Sequence, residues 1–167
     1  ACNISLLTDC GHDYFEDIDK HIEDLLTVDG TISSRWDWLD EKIGGGFMEQ
    51  GRSLYIFAGE TNIGKSIFLG NVATNIARQK KTVLRVTLEM SELMYSKRLS
   101  SDITKIPINK LQDRPEDIKY LAKEFKQKHK SKILIKEFPP NTVTPSHIRS
   151  FIENITNSGI SIDAIVV

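Results

Sequence analysis

The sequence predicts an α/β fold: a mostly parallel sheet with helices on both faces, preceded by an amphipathic helix. Three observations carry this. From Ser53 onward, short apolar runs alternate with apolar stripes at helical spacing, the pattern of strand–helix–strand units. A glycine-bearing octapeptide joins the first run to the first stripe. The composition, 40% hydrophobic and 27% charged over 167 residues, suits one domain with a sizeable core.

The elements follow in order. Phe15, Ile18, Ile22, Leu25 and Leu26 fall at helical spacing, with Glu16, Asp17, Asp19, Lys20, Glu23 and Asp24 between them. This predicts an amphipathic helix over about 14–26, stopped at Thr27-Val28-Asp29-Gly30. It reads either as a surface helix or as an arm docking on a neighbouring subunit. Ser53–Ala58 has the pattern of a buried strand, and Ile67, Phe68, Val72, Ala73 and Ile76 form a helical stripe behind it. Thr82–Thr87 is a second strand. A helix follows from Glu92, with Ser91 as its cap. Pro115 opens a helix carrying Ile118, Leu121, Ala122 and Phe125 on one face. Lys132–Lys136 is a third strand. Thr144-Pro145 supplies a cap and a first-turn proline for a helix with Ile148, Phe151, Ile152 and Ile155 as its stripe. Ile162–Val167 is a fourth strand, and crossovers between parallel strands should be right-handed.

Composition excludes some functions. No apolar run approaches the ~18 residues of a membrane helix. The start, Ala1-Cys2-Asn3-Ile4-Ser5, lacks the basic leader and apolar stretch of a signal peptide. With 22 Lys and Arg against 23 Asp and Glu, bulk-basic nucleic-acid binding is not indicated, so any such contact is local. Two cysteines cannot staple a domain of this size, which points to a reducing cytoplasm.

The chemistry centres on Gly59-Glu60-Thr61-Asn62-Ile63-Gly64-Lys65-Ser66, which satisfies G-x-x-x-x-G-K-[ST] at every fixed position between a strand pattern and a helix pattern. Backbone N–H groups of such a loop and the helix amino terminus form an anion cradle. Gly59 and Gly64 allow backbone geometry that side chains obstruct. Lys65 supplies charge to the β- and γ-phosphates, and the Ser66 hydroxyl suits Mg²⁺. Hydrolysis also needs a group that orients or deprotonates water. Glu89, just past the second strand, is the leading candidate; its alternative is a surface glutamate at the head of the next helix, beside Ser91 and Glu92. Glu60 should point to solvent, and Asp163 falls too early in its strand to orient magnesium.

These residues resemble a known family. Thr87-Leu88-Glu89-Met90-Ser91 is similar to the L-E-M-S segment of hexameric replicative DNA helicases, the DnaB-like family. Ile32-Ser33-Ser34-Arg35-Trp36-Asp37-Trp38-Leu39-Asp40 followed by Gly44-Gly45-Gly46 resembles that family's I-S-T-G-F-x-x-L-D…G-G-G stretch. Arg98 matches an Arg usual in the helix after the Glu. Ile133-Leu134-Ile135-Lys136-Glu137-Phe138-Pro139 looks closest to replicative helicases of T-even-like phages. The resemblance spans about 32–167. It implies a RecA-like P-loop NTPase core using ATP and Mg²⁺, with Glu89 activating water and Lys65 and Ser66 at the phosphate and magnesium positions. Residues 1–30 then form a linker or arm segment, and 31–167 the amino-terminal part of the ATPase domain. Family members continue with an Asp in a V-V-D-Y-L run that orients magnesium, then DNA-binding loops, a γ-phosphate sensor and an arginine finger. This chain stops at Ile165-Val166-Val167, so alone it is expected to bind nucleotide with little turnover.

The function implied is ATP-driven translocation on single-stranded DNA and unwinding at a fork. The resemblance implies a homo-hexamer, with a primase and a helicase loader as partners, no membrane, and the bacterial cytoplasm as location, the protein being phage-encoded. A RecA- or KaiC-like recombinase or regulatory ATPase is the rival, and Leu88-Glu89-Met90-Ser91 argues against it. A small-molecule kinase would need an Arg-rich lid, yet only Arg114 and Arg149 follow Arg98. Three further signals carry less. Cys2, Cys10, His12 and His21 fit no standard zinc spacing. Lys126, Lys128, Lys130 and Lys132 with His129 read as a solvated helix end or a phosphate-backbone contact. Trp36 and Trp38 read as packing beside the core or as base-stacking rings.

Overall fold

The computed structural model describes residues 14–19, 22–23, 30–49, 53–140 and 142–167. The chain divides into two compact units, 1–30 and 31–167. In the first, residues 14–17 form a turn and 18–19 and 22–23 are helical. The rest of the helix expected over 14–26 lies outside the described residues, as do Cys2, Cys10, His12 and His21.

The second unit opens with a small antiparallel pair, β1 (Thr31–Ile32) and β2 (Phe47–Met48), linked by helix α1 (Asp37–Lys42). Alternation along each strand turns Ile32 and Phe47 into the core. Sequence patterning left this stretch unassigned, because two-residue strands and a six-residue helix are too short for a period to register.

The main sheet has three parallel strands in the order β4-β3-β5: β3 (Thr82–Thr87), β4 (Lys132–Glu137) and β5 (Ala164–Val166). β3 is the central strand, with both edges paired, and Val83, Leu84 and Val86 have no exposed surface. Each such residue contributes about 1.5–3 kcal/mol of burial. Helix α2 (Lys65–Ala77) packs Val72, Ala73, Ile76 and Ala77 against Val83, Val166, Ile32, Leu39 and Phe47. Helix α3 (Glu92–Thr104) lies beside it, joined by Arg78 to Asp102 at 3.7 Å. A 3₁₀ turn at Ile108–Lys110 leads to helix α4 (Pro115–His129), β4, and helix α5 (Pro145–Asn157).

The expected helix starts appear with their caps. Ser91 Oγ accepts from Met94 N at the head of α3, and Thr144 forms a capping box with His147 ahead of Pro145. Ile148, Phe151, Ile152 and Ile155 are the half-buried face of α5.

The strand expected over Ser53–Ala58 is corrected: the segment forms no strand. Leu54 and Ile56 are 84% and 79% exposed, and the segment borders an open apolar groove whose other wall is 162–167. An apolar run carries strand propensity, but a strand exists only where a neighbour completes its hydrogen-bond ladder. The fourth strand is likewise shorter than expected, Ala164–Val166, and Asp163 stands outside it.

Candidate nucleotide site

Helix α2 runs back along β3, so its amino terminus lies at the carboxyl edge of the sheet, where β3 ends. Gly64, the residue before the helix, has φ 93°, and Asn62 has φ 65°. Both lie in the left-handed region, on either side of Ile63, a backbone geometry found in loops that gather N–H groups around an anion. A Cβ on Gly64 would meet nothing within 4 Å, so this glycine answers to backbone angle and not to space. Gly59 is the reverse: its φ is ordinary, but a Cβ there would collide with Ile63 Cδ1. The first backbone bond of the helix runs from Phe68 N to Gly64 O at 2.9 Å. The N–H groups of Lys65, Ser66 and Ile67 therefore face outward with the positive end of the helix dipole.

Lys65 folds back over the loop. Its Nζ donates to Gly59 O at 2.9 Å and to Glu60 O at 2.6 Å. Glu60, Thr61, Asn62 and Ile63 are exposed, and Ser66 is half-buried at the first turn. The loop is held from beneath by stacked rings. Trp36 lies on Phe68 with centroids 5.1 Å apart and planes 17° apart, and Phe68 meets Phe57 at 4.8 Å. This places Trp36 as packing, while Trp38 is 58% exposed.

Glu89 stands at the same sheet edge, exposed, in the bend after β3. The bend is pinned on both sides. Met90 N donates to Thr87 Oγ1 at 3.1 Å, and Thr87 Oγ1 donates to Met90 O at 2.8 Å. Glu92 N donates to the Glu137 carboxylate at 3.1 Å, and Glu137 N donates to the Glu92 carboxylate at 2.9 Å. This reciprocal brace ties the head of α3 to the end of β4. It joins residues 45 apart, and no local pattern announces such a pairing.

Asp163 belongs to the opposite edge. Its Oδ2 accepts from Thr82 N at 2.7 Å, and Lys81 lies 3.5 Å from its Oδ1. Lys81 is also hydrogen-bonded to Glu49, and that bond raises its pKa against the pull of partial burial, with Asp163 adding to the rise.

Beside Ser66 a cavity of about 230 Å³ runs between α2 and α3, bordered by Asn71, Tyr95, Arg98 and Asp102. Arg98 is half-buried there. Below, Arg85 is 4% exposed with its guanidinium 5.2 Å from the Tyr95 ring centroid. Burial lowers the Arg85 pKa and raises that of Tyr95. Arg85 Nε and Nη1 and Tyr95 Oη have no hydrogen-bond partner among the described residues. Sequence reasoning missed this pair: the one available signal is a charged residue inside the apolar run Thr82–Thr87, and nothing local points to its tyrosine partner.

The fold and site thus define an α/β protein with a phosphate-loop motif at a helix amino terminus and a glutamate on the same sheet edge. The family described as DnaB-like helicase C terminal domain matches residues 31–167, and the chain belongs to that family. The chain is also similar to a DnaB-like replicative helicase of Enterobacteria phage T4, 24% identical over 159 residues. That match takes in 93% of this chain and 33% of the relative, so the chain spans about a third of the relative's length. Among the described residues no helix is long and apolar enough to cross a membrane.

Proposed function

We propose that this chain is part of the ATP-driven motor of a replicative DNA helicase, a RecA-like core that couples nucleotide hydrolysis to movement along single-stranded DNA and unwinding at a fork. The observation that carries the reading is the loop at Gly59–Ser66, shaped by two left-handed residues and facing the same sheet edge as Glu89. In this reading the N–H groups of Gly59, Glu60, Thr61, Asn62, Ile63 and Gly64 hold the phosphates. Lys65 exchanges the carbonyls of Gly59 and Glu60 for phosphate oxygens, a stronger, charge-assisted partner. The Ser66 hydroxyl would hold Mg²⁺, and Glu89 would orient the attacking water and take its proton. Bound Mg²⁺ would neutralise charge between the β- and γ-phosphates. Assembly as a homo-hexamer, with primase and a loader as partners, belongs to the same proposal, as does a cytoplasmic location.

The test is a titration of this chain with a fluorescent ATP analogue and Mg²⁺. Wild type should bind; Lys65→Ala should lose about 10-fold or more, the range of one charged hydrogen bond; Glu89→Gln should bind like wild type. Absence of binding by folded wild type refutes the nucleotide site. Equal loss in both variants refutes the role given to Glu89.

A further inference from the structure

We propose that the outer face of α4 is a nucleic-acid contact that grips the sugar–phosphate backbone without reading bases. The helix packs through Ile118, Leu121, Phe125 and His129, all half-buried. At about 100° per residue, Lys119, Lys123 and Lys126 fall within an arc of about 60°, centred about 120° from that packed stripe, and Lys130 follows as the left-handed residue that ends the helix. All four are exposed. They form a ridge about 16 Å long.

The ridge is largely uncompensated. Lys119 pairs with Glu116 at 2.8 Å, but among the described residues Lys123, Lys126 and Lys130 have no ion pair. Glu124 lies on the far side of the helix, and Asp117 is taken by Arg114 at 2.6 Å. Helix stability does not explain the arrangement. Lys119 with Lys123, and Lys126 with Lys130, are like charges four residues apart, each costing about 0.2–0.5 kcal/mol. The helix dipole favours cations at the carboxyl end only, so it accounts for Lys126, Lys128 and the C-cap Lys130 but not for Lys119 or Lys123.

Topology extends the patch. α4 leads directly into β4, so its lysine-rich end lies at the amino edge of the sheet, opposite the phosphate loop. His129 Nδ1 donates to Arg78 O at 2.7 Å, and the Arg78 guanidinium lies 5.8 Å from the Phe125 ring centroid. These contacts bring the end of α2, with exposed Lys80, alongside Lys128, Lys130 and Lys132. The near-zero net charge of the chain hides this asymmetry: residues 31–167 carry 21 Lys and Arg against 15 Asp and Glu. A row of ammonium groups, three of the four without an ion pair among the described residues, complements a polyanion of regular charge spacing. The family reading selects nucleic acid among polyanions, so that choice rests on it.

The test is fluorescence anisotropy of this chain, without nucleotide, on a labelled single strand and on its duplex between 50 and 200 mM salt. The variant is the triple Lys123→Gln, Lys126→Gln, Lys130→Gln; the control triple is Lys42→Gln, Lys105→Gln, Lys110→Gln, with the same charge change elsewhere. Losing three phosphate contacts should make the log–log salt slope shallower by about 2 for the single strand and 2.7 for the duplex. Over that salt range wild-type affinity should then fall about 20-fold and 40-fold more than the variant's, while the control keeps the wild-type slope. The tighter of the two wild-type affinities names the strand form. Equal behaviour of the two triples, an unchanged slope, or competition by polyglutamate as strong as by DNA at equal charge would overturn the proposal. If circular dichroism shows the triple unfolded, Lys126→Gln alone should lower the slope by about 0.7–0.9, and the Lys→Arg triple should keep it. ATP-analogue titration of the same triple should match wild type, which separates this outcome from failure of the nucleotide site.

Discussion

Gly64→Ala should destabilise the folded chain more than Gly59→Ala, although only Gly59 has a neighbour in the way. At Gly64 a new Cβ has open space, but φ is 93°. An L-residue held in left-handed geometry costs about 1–2 kcal/mol, and nothing nearby can relieve it. At Gly59 the obstacle is Cδ1 of Ile63, the far end of a side chain that is 64% exposed. A rotamer change of Ile63 clears it, for about 0.5–1 kcal/mol at most. For a chain of this length 1 kcal/mol moves the midpoint by roughly 2–4 °C. Thermal unfolding should therefore drop by about 2–8 °C for Gly64→Ala and by under about 4 °C for Gly59→Ala. Two companions sharpen the test. Gly64→Asn should recover part of the loss, because Asn tolerates left-handed angles. Adding Ile63→Ala should relieve Gly59→Ala and leave the Gly64→Ala cost unchanged. A larger drop for Gly59→Ala, or relief of Gly64→Ala by Ile63→Ala, would refute the assignment of one glycine to space and the other to angle.

Three further outcomes are expected. Tyr95→Phe should be neutral or stabilising by up to about 1 kcal/mol in urea unfolding, since it removes a buried hydroxyl without a partner and keeps the ring against Arg85; a loss above about 1 kcal/mol would mean the hydroxyl is bonded. Asp40 accepts from Ser33 Oγ at 2.6 Å and Ser34 N at 2.7 Å. Partial burial raises its pKa, but those bonds outweigh it and the net shift is downward. The folded value lies below the unfolded one, so its contribution is present above about pH 4 and is lost as pH falls through the folded value. Asp40→Asn should flatten that acid limb and cost about 1–2 kcal/mol at pH 7, read by urea midpoints at several pH values. Thr87→Val keeps shape but removes both bonds to Met90; amide exchange at Met90 should speed up, while Leu84 in the middle of β3 stays protected.

How far sequence reasoning reached depends on the range of each interaction. The starts of α3 and α5 were readable because Ser91 and Thr144 bond backbone groups three residues away. The packed stripes of α2, apart from the exposed Ile67, and of α5 were readable because one helix face repeats locally. Of the ridge on α4, the run of lysines showed only Lys126 and Lys130, and left out Lys119 and Lys123, since which lysines belong together depends on which face packs.

The octapeptide Gly59–Ser66 and the alternation that follows it determined the fold class and the local geometry of the loop, since left-handed angles, a helix terminus and a lysine are properties of neighbouring residues. Tertiary structure decided the rest. It left Ser53–Ala58 without a strand partner, set Glu89 on a bend braced by Glu92 and Glu137, joined Asp163 to Thr82 and Lys81, and buried Arg85 against Tyr95. Each of these depends on groups distant in the chain, and a ladder, a brace or a cation over a ring exists only when both halves have been brought together.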